Sequence, residues 1–255
     1  PQGGYRVGED LGGNVTKIDQ GGGPLGDFYG YKVLGVFQNA SEIDGYSVNG
    51  RRIQPNAVPG DFKFEDLNGD GVINENDKTV LGNAYPKIEV GLNLKLEYKG
   101  FDLVLSGYGR FGHQVFWVAK KWLEMGSLGS NVFAGSAAKA WNGEGSTNAY
   151  PRFINDANDV NNNLKSSNSW FVENGDYFRL NNIQLGYSLT KKMASKIGLK
   201  TAKLNLNLQN IVTFTKYKGL NPEIYNSDFG LASPGFDLSQ APIRKSVTLG
   251  LSIGF

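Results

Sequence analysis

Twelve consecutive residues carry most of the coordination chemistry this chain can offer: Asp66-Leu67-Asn68-Gly69-Asp70-Gly71-Val72-Ile73-Asn74-Glu75-Asn76-Asp77. Side-chain oxygens stand at the first, third and fifth positions (Asp66, Asn68, Asp70), and Gly71 at the sixth permits a sharp turn. Val72 offers its carbonyl at the seventh position, and Asn74 can ligate directly or through a water. Hard Ca2+ takes about six to eight oxygens, and this spacing folds them around one point, so the segment predicts a structural Ca2+ site of EF-hand form. Asp77 holds the twelfth position, where a Glu normally reaches the ion with both oxygens. The shorter side chain predicts a weaker site, and no flanking helices are evident. The same residues also have a metal-free reading, because Asn-Gly-Asp-Gly is a strong turn signal and Asp and Asn bond their own backbone.

Trp117, Trp122, Trp141 and Trp170 all fall in or at the edge of one long connection. Aromatic faces stack on sugars or cover peptide side chains, which makes Trp141 and Trp170 candidates for substrate or partner contact. The competing expectation is that they pack the connection's own core or an interfacial belt. His113 is the only histidine, and no nucleophile or carboxylate set accompanies it. GxSxG, HExxH and phosphate-binding glycine loops are missing, so no enzyme is expected.

The elements that must position these residues are strands. In Lys87–Tyr98 the apolar residues Ile88, Val90, Leu92, Leu94, Leu96 and Tyr98 alternate with Lys87, Glu89, Gly91, Asn93, Lys95 and Glu97. Alternate side chains of a strand point to opposite faces, so this segment has one apolar and one polar face. Lys99-Gly100 is a connection of hairpin length, and Phe101, Leu103 and Leu105 resume the alternation. Ile183, Leu185, Tyr187 and Leu189 repeat it, as do Leu204, Leu206 and Leu208, and finally Val247, Leu249, Leu251, Ile253 and Phe255. The last ten residues match the alternating unit of a transmembrane barrel strand of about ten residues. On the opposite faces Arg179, Lys203 and Gln209 are expected to point into a lumen.

Connection lengths give the topology. Long segments (39–86, 117–174, 215–245) alternate strictly with short ones (99–100, 190–201), as outer-membrane barrels require with short periplasmic turns and long extracellular loops. The expected fold is therefore all-β: C-terminal strands of a large antiparallel transmembrane β-barrel with long extracellular loops. Residues 1–86 are expected to form a glycine-rich extracellular region with a possible strand at 28–38, a strand end near 14–18 and the acidic loop at 66–77. Barrel strands are expected at 87–98, 101–116, 176–190, 202–214 and 246–255, with long loops at 117–175 and 215–245 and short helices near 118–125 and 134–141. Five or six strands are too few to close a barrel, and an open edge in lipid leaves backbone groups unpaired, so further strands are expected from a longer chain.

Composition agrees. Gly accounts for 35 of 255 residues, roughly twice ordinary usage, and Met occurs only twice. The net charge of +2 gives no sign of a nucleic-acid partner. There is no Cys, which excludes disulfides and thiolate sites. No run of about 18 apolar residues exists, so no transmembrane helix is expected.

Five segments together resemble one family, the SusC-like (RagA-type) TonB-dependent outer-membrane transporters of Bacteroidetes: PLGDFYGYKVLGVFQ (24–38), PGDFKFEDLNGDGVINENDKTVLGN (59–83), GDYFRLNNIQLGYSL (175–189), QNIVTFTKYKGLNPEI (209–224) and the terminal SVTLGLSIGF. The resemblance implies a place in the C-terminal part of a larger barrel with an N-terminal plug and TonB-box segment. It further implies coupling to the TonB complex, a SusD-like surface lipoprotein as partner, oligosaccharides or peptides as substrates, and outer-membrane lipid around the strands. The terminal Phe255 resembles the aromatic C-terminus read by the barrel-assembly machinery, or else is a girdle residue. Two other readings stay open at this point: a soluble, calcium-stapled β-sandwich that binds glycans, and a barrel adapted as a structural or secretion component.

Overall fold

The computed structural model describes residues 4–6, 17–20, 26–154, 158–224 and 234–255. In chain order its strands are β1 (Gly4–Arg6), β2 (Lys17–Gln20), β3 (Asp27–Tyr31), β4 (Val33–Val36), β5 (Ser47–Val48), β6 (Arg51–Arg52), β7 (Phe62–Phe64), β8 (Lys78–Asn83), β9 (Ile88–Tyr98), β10 (Phe101–Phe111), β11 (Gln114–Trp117), β12 (Val172–Asn174), β13 (Tyr177–Ser188), β14 (Thr201–Thr215), β15 (Phe236–Asp237) and β16 (Ser246–Gly254). Four short helices accompany them: α1 (Ala40–Gly45), α2 (Lys120–Leu123), α3 (Ser136–Lys139) and α4 (Lys191–Lys196). The chain forms two compact units. One gathers 1–85, 114–173 and 224–240, the loop unit; the other gathers 86–113, 174–223 and 241–255, the sheet unit.

The sheet unit is one antiparallel sheet in the order β16-β14-β13-β10-β9. Its register converts the alternation of single strands into continuous rows. Leu96, Leu103, Leu185, Leu206 and Leu249 are successive cross-strand partners; so are Leu94, Leu105, Ile183, Leu208 and Val247, and so are Tyr98, Phe101, Tyr187, Leu204 and Leu251. Nothing among the described residues covers this face, and Leu249 is 70% exposed. Higher up the sheet, register shifts in β13 and β14 bring Leu180 beside Val212 and Phe178 beside Phe214, so the apolar face continues although its sequence phase has changed. Asn210, with φ +53, takes up the extra length in β14. Gly107 and Gly109 leave room there for the Phe178 ring, since a Cβ at either would stand 2.7 or 2.8 Å from its atoms.

The other face is polar. Lys203 Nζ meets Asp102 Oδ1 at 2.8 Å, Lys95 meets Glu97 at 2.7 Å, and Arg110 meets Glu89 at 2.8 Å. Arg179 donates to Thr213 Oγ1 at 3.0 Å and to Asn221 and Glu223. Gln209 pairs with Ser246. At one end Lys99 and Gly100 both have positive φ (+46 and +89), the backbone that a two-residue hairpin turn needs. At the same end α4 is capped by Thr190, whose Oγ1 accepts from Met193 N–H at 3.3 Å.

The loop unit has a core of its own. Phe28, Phe116 and Phe236, from β3, β11 and β15, lie 5.2–5.6 Å apart ring to ring, and Phe171 stacks on Phe116 at 5.3 Å. Around them β3 pairs with β8, β4 with β7, and β11 lies parallel to β15. A buried polar lattice holds the irregular segments. Asp61 accepts from Arg152 Nε at 2.8 Å and Asn163 Nδ2 at 3.0 Å; Asn163 Oδ1 accepts Phe62 N–H at 2.7 Å. Asp159 accepts the N–H groups of Asn163 and Leu164 at 2.9 and 2.8 Å. Buried backbone needs such partners, and here Asn and Asp side chains supply them in place of strand ladders.

Several expectations are corrected. Residues 28–38 add no sixth strand to the barrel sheet; the run breaks at Lys32 into β3 and β4, in separate small sheets of the loop unit. Its imperfect alternation reflects a core setting: Phe28, Val36 and Phe37 are all buried. The strand expected at 101–116 ends at Phe111, because Gly112 turns with φ +79 and donates its N–H to Asp176 Oδ1 at 2.6 Å, after which β11 belongs to the loop unit. The boundary expected at residue 86 gives way to interleaving, since most of 117–175 folds together with 26–85. The expected helices shorten to α2 and α3. Of the strand end expected near 14–18, residues 14–16 lie outside the described residues and 17–18 begin β2.

Candidate functional site

The acidic loop runs between β7 and β8, both anchored in the loop unit. Gly71 has φ +84, a left-handed conformation that favours glycine, and Gly69 has φ +74. With the chain bent this way, Asp66 Oδ1 accepts Gly69 N–H at 2.8 Å and Oδ2 accepts Gly71 N–H at 2.8 Å. Asp70 Oδ1 accepts Val72 N–H at 3.0 Å, while its Oδ2 receives the amides of Asn68 at 2.9 Å and Asn74 at 3.2 Å. Asn74 also donates to the Val72 carbonyl at 3.3 Å. Asp66, Asn68, Asp70, Val72 and Asn74 thus belong to one connected network.

Asp70 is an exposed carboxylate. The Asn68 side chain and the Val72 N–H hold its carboxyl below the usual carboxylate range, so it stays ionised. Asp77 is different. It is buried, and its oxygens accept Leu67 N–H at 2.9 Å and Asn74 N–H at 2.7 Å, bracketing the two ends of the loop. Among the described residues no three His, Cys, Asp or Glu side chains gather into a metal cluster. The donor set available to a cation is therefore two carboxylates, two amides and a carbonyl. All are hard oxygen donors once the Asn68 and Asn74 amides turn over, which suits Ca2+.

The two candidate tryptophans lie in the loop unit's interior. Trp170 is 8% exposed, packs on Phe62 and Tyr150, and has the Lys120 ammonium 4.2 Å from its ring centre. Trp141 is partly buried, donates Nε1–H to Gln38 Oε1 at 3.3 Å, and lies against Gly60 where no Cβ would fit. His113 is buried beside the Tyr177 ring, with Asp176 at 3.9 Å. Burial, the larger effect, holds it below its ordinary pKa against the pull of Asp176.

Sequence reading missed two lysines. Lys120 and Lys121 are both buried on α2. The available signal was a Lys pair embedded in the apolar run Trp117-Val118-Ala119-Lys120-Lys121-Trp122-Leu123, where two charges cannot both reach open water.

No protein-family model matches the chain. Curated relatives do. TonB-dependent receptor P3 of Formosa agariphila is 31% identical over 94% of this chain and 23% of its own length; TonB-dependent receptor P39 of the same organism is 32% identical over 92% and 25%. TonB-dependent receptor SusC of Bacteroides thetaiotaomicron is 27% identical over 78% of this chain and 18% of its own. Among solved structures, the RagAB peptide transporter superposes with a TM-score of 0.69 at 20% identity, covering 99% of this chain and 24% of that one. The RagAB peptide importer in its closed-closed state gives 0.66 at 18%, covering 99% and 25%. The chain spans about a quarter of the length of the curated receptors P3 and P39. These relatives are receptors and transporters, not enzymes. By sequence over most of its length the chain is part of a TonB-dependent receptor, by fold over nearly all of that length it matches the RagAB structures, and its five-stranded sheet is wall of an outer-membrane β-barrel.

Proposed function

We propose that the complete receptor imports oligosaccharides or peptides across the outer membrane, driven by the TonB complex and working with a SusD-like surface lipoprotein. This chain contributes barrel wall and a folded extracellular body. The observation that carries the reading is the set of leucine-rich rows, continuous across five strands and uncovered, opposite a face of ion pairs and amides. Lipid on one side and a wet interior on the other satisfy both faces. A soluble sandwich would need a second sheet over the apolar rows. Peptides enter the proposal because the RagAB structures whose fold this chain shares are of a peptide transporter, and oligosaccharides enter it from the family resemblance of the sequence alone.

Extraction of the outer membrane in mild detergent tests the importer reading. Recovery of this polypeptide within a receptor of about four times its length, together with a surface lipoprotein, is expected. Its recovery as a free water-soluble protein overturns the reading.

We also propose that the acidic loop binds Ca2+ as a structural staple, held by Asp66, Asn68, Asp70, the Val72 carbonyl and Asn74, with Asp77 fixing the loop ends. The affinity expected for two carboxylates is weak, around the millimolar range of extracellular modules. Calorimetric titration of the receptor with Ca2+ should give heats that Asp66→Ala/Asp70→Ala abolishes; equal heats from both proteins end the proposal.

A further inference from the structure

Two neighbouring lysines on α2 are treated in opposite ways. Lys120 Nζ has the Glu173 carboxylate at 2.7 Å, the Trp170 carbonyl at 2.7 Å and the Trp170 ring at 4.2 Å. Lys121 is also buried, at 8% exposure against 4% for Lys120, but among the described residues it has no carboxylate partner; its one charge contact is the Trp122 ring at 5.6 Å. Its ammonium is not among the enclosed polar atoms that lack a partner, so the packed stem leaves the charged end at a solvent-accessible surface where it can serve a ligand. Lys121 lines an open cleft of the loop unit, about 820 Å³, a volume within the range of small-molecule sites.

The rest of the lining indicates what that ligand is. Glu75, the cleft's carboxylate, is already neutralised by Lys78 at 2.8 Å, and lies beside Tyr31, whose hydroxyl is pushed up to about 12 by burial and by Glu75. Ile73 and Tyr31 supply apolar surface, while Asn56 and Asn162 add amide side chains. Lys165 also lines the cleft, but its ammonium is directed to the Asp159 carbonyl at 3.4 Å, which leaves Lys121 as the ammonium without an oxygen partner there among the described residues. Set among amides and a half-apolar wall, it suits a carboxylate on a body that both packs and hydrogen-bonds. Phosphate is usually met by guanidinium forks or clustered backbone N–H groups, and no arginine lines this cleft.

We propose that this cleft is a ligand subsite of the receptor in which Lys121 pairs with a carboxylate, either the C-terminus of a short peptide or a uronic acid of an oligosaccharide. It deepens the importer reading and rests on it. Because Val72, Ile73 and Glu75 form part of the cleft, the acidic loop is also a wall of the subsite.

The test is binding to the purified full-length receptor in detergent, by ligand-detected NMR, kept separate from uptake. The probes are triglycine against triglycinamide, and digalacturonate against its methyl ester. The acid of one pair is expected to bind about tenfold or more tighter than its neutral form, and Lys121→Met is expected to erase that preference while Lys121→Arg keeps part of it. Preference for triglycine over its amide assigns the peptide source, and preference for digalacturonate over its ester the saccharide source. Equal binding of acid and neutral forms in the parent receptor overturns the proposal, without any variant having to fold. A preference unchanged in Lys121→Met does the same. Loss of uptake with the binding preference intact would count against the importer reading alone.

Discussion

The sheet unit and the loop unit solve one problem, the satisfaction of backbone and apolar surface, in opposite ways. In the sheet unit the backbone pairs strand to strand, and side chains sort by parity alone: odd positions of β10 join the apolar rows, even positions the polar face. In the loop unit strands are two to six residues long and cannot order the segments between them. There the backbone is held by individual side chains such as Asp61, Asp159 and Asn163, and apolar residues converge from distant points in the chain. A periodic solution tolerates many substitutions that keep parity; an aperiodic one depends on single residues.

That difference predicts where damage concentrates. The largest loss is expected from Phe116→Ala. Phe116 is fully buried and touches the rings of Phe28, Phe171 and Phe236, so its removal should cost the loop unit about 3–5 kcal/mol. Limited proteolysis of receptor in outer membranes should show new cleavage between 114 and 173 while the barrel still assembles. If loops and barrel are lost together, the two units are not separate in stability and the contrast fails.

A smaller but differently placed effect is expected in the sheet. Leu249→Arg puts a charge into the central apolar row, at about 2–4 kcal/mol near the bilayer midplane, whereas Asn207→Arg, on the opposite face and two positions from Asn205, should cost little. Heat-modifiable migration of the full receptor measures both. Equal damage from the two would remove the assignment of faces.

The same contrast explains what the sequence discloses. Strand identity, hairpin position and the face of each residue in β9 and β16 follow from a period of two, which survives in any single sequence. In β13 that period holds only from Asn182 onward, because the register shift before it reverses the phase of Phe178 to Leu180. The network of the acidic loop was equally visible because its oxygen-bearing side chains, Asp66 to Asn74, are contiguous in sequence. Nothing local announces that Asp61 will meet Asn163, or that within a turn-rich run of asparagines at 161–163 the last is buried scaffold while Asn162 is surface. The strand expected at 101–116 overran for a related reason: Val115 and Phe116 continue the apolar character, and the turn at Gly112, with φ +79 and an N–H bonded to Asp176, separates them from β10. Trp141 and Trp170 look alike as aromatic loop residues, yet partners far away in sequence, Gln38 for one and Phe62 with Lys120 for the other, fix their roles.

The smallest expected effect probes parity itself. On the polar face Asp102 pairs across the sheet with Gly186 of β13, and its carboxylate lies over that glycine on the way to Lys203 of β14. Gly186 does not have a positive φ, so an alanine fits the backbone and even suits a strand better than glycine does. Its methyl group, however, occupies the space that the Asp102 oxygens now use, and a short side chain can retreat only by giving up its present approach to Lys203. A partly exposed ion pair of this kind is worth about 0–1 kcal/mol, so Gly186→Ala should change assembly and heat stability barely, whichever of the two small terms prevails. The sharper readout is coupling. If the glycine serves the ion pair, Gly186→Ala and Asp102→Asn will be non-additive in a double-mutant cycle, because the second change removes what the first disturbs. Strict additivity would mean that Gly186 is merely a small residue on a wet face, and that even here parity, not pairing, is all the sheet requires.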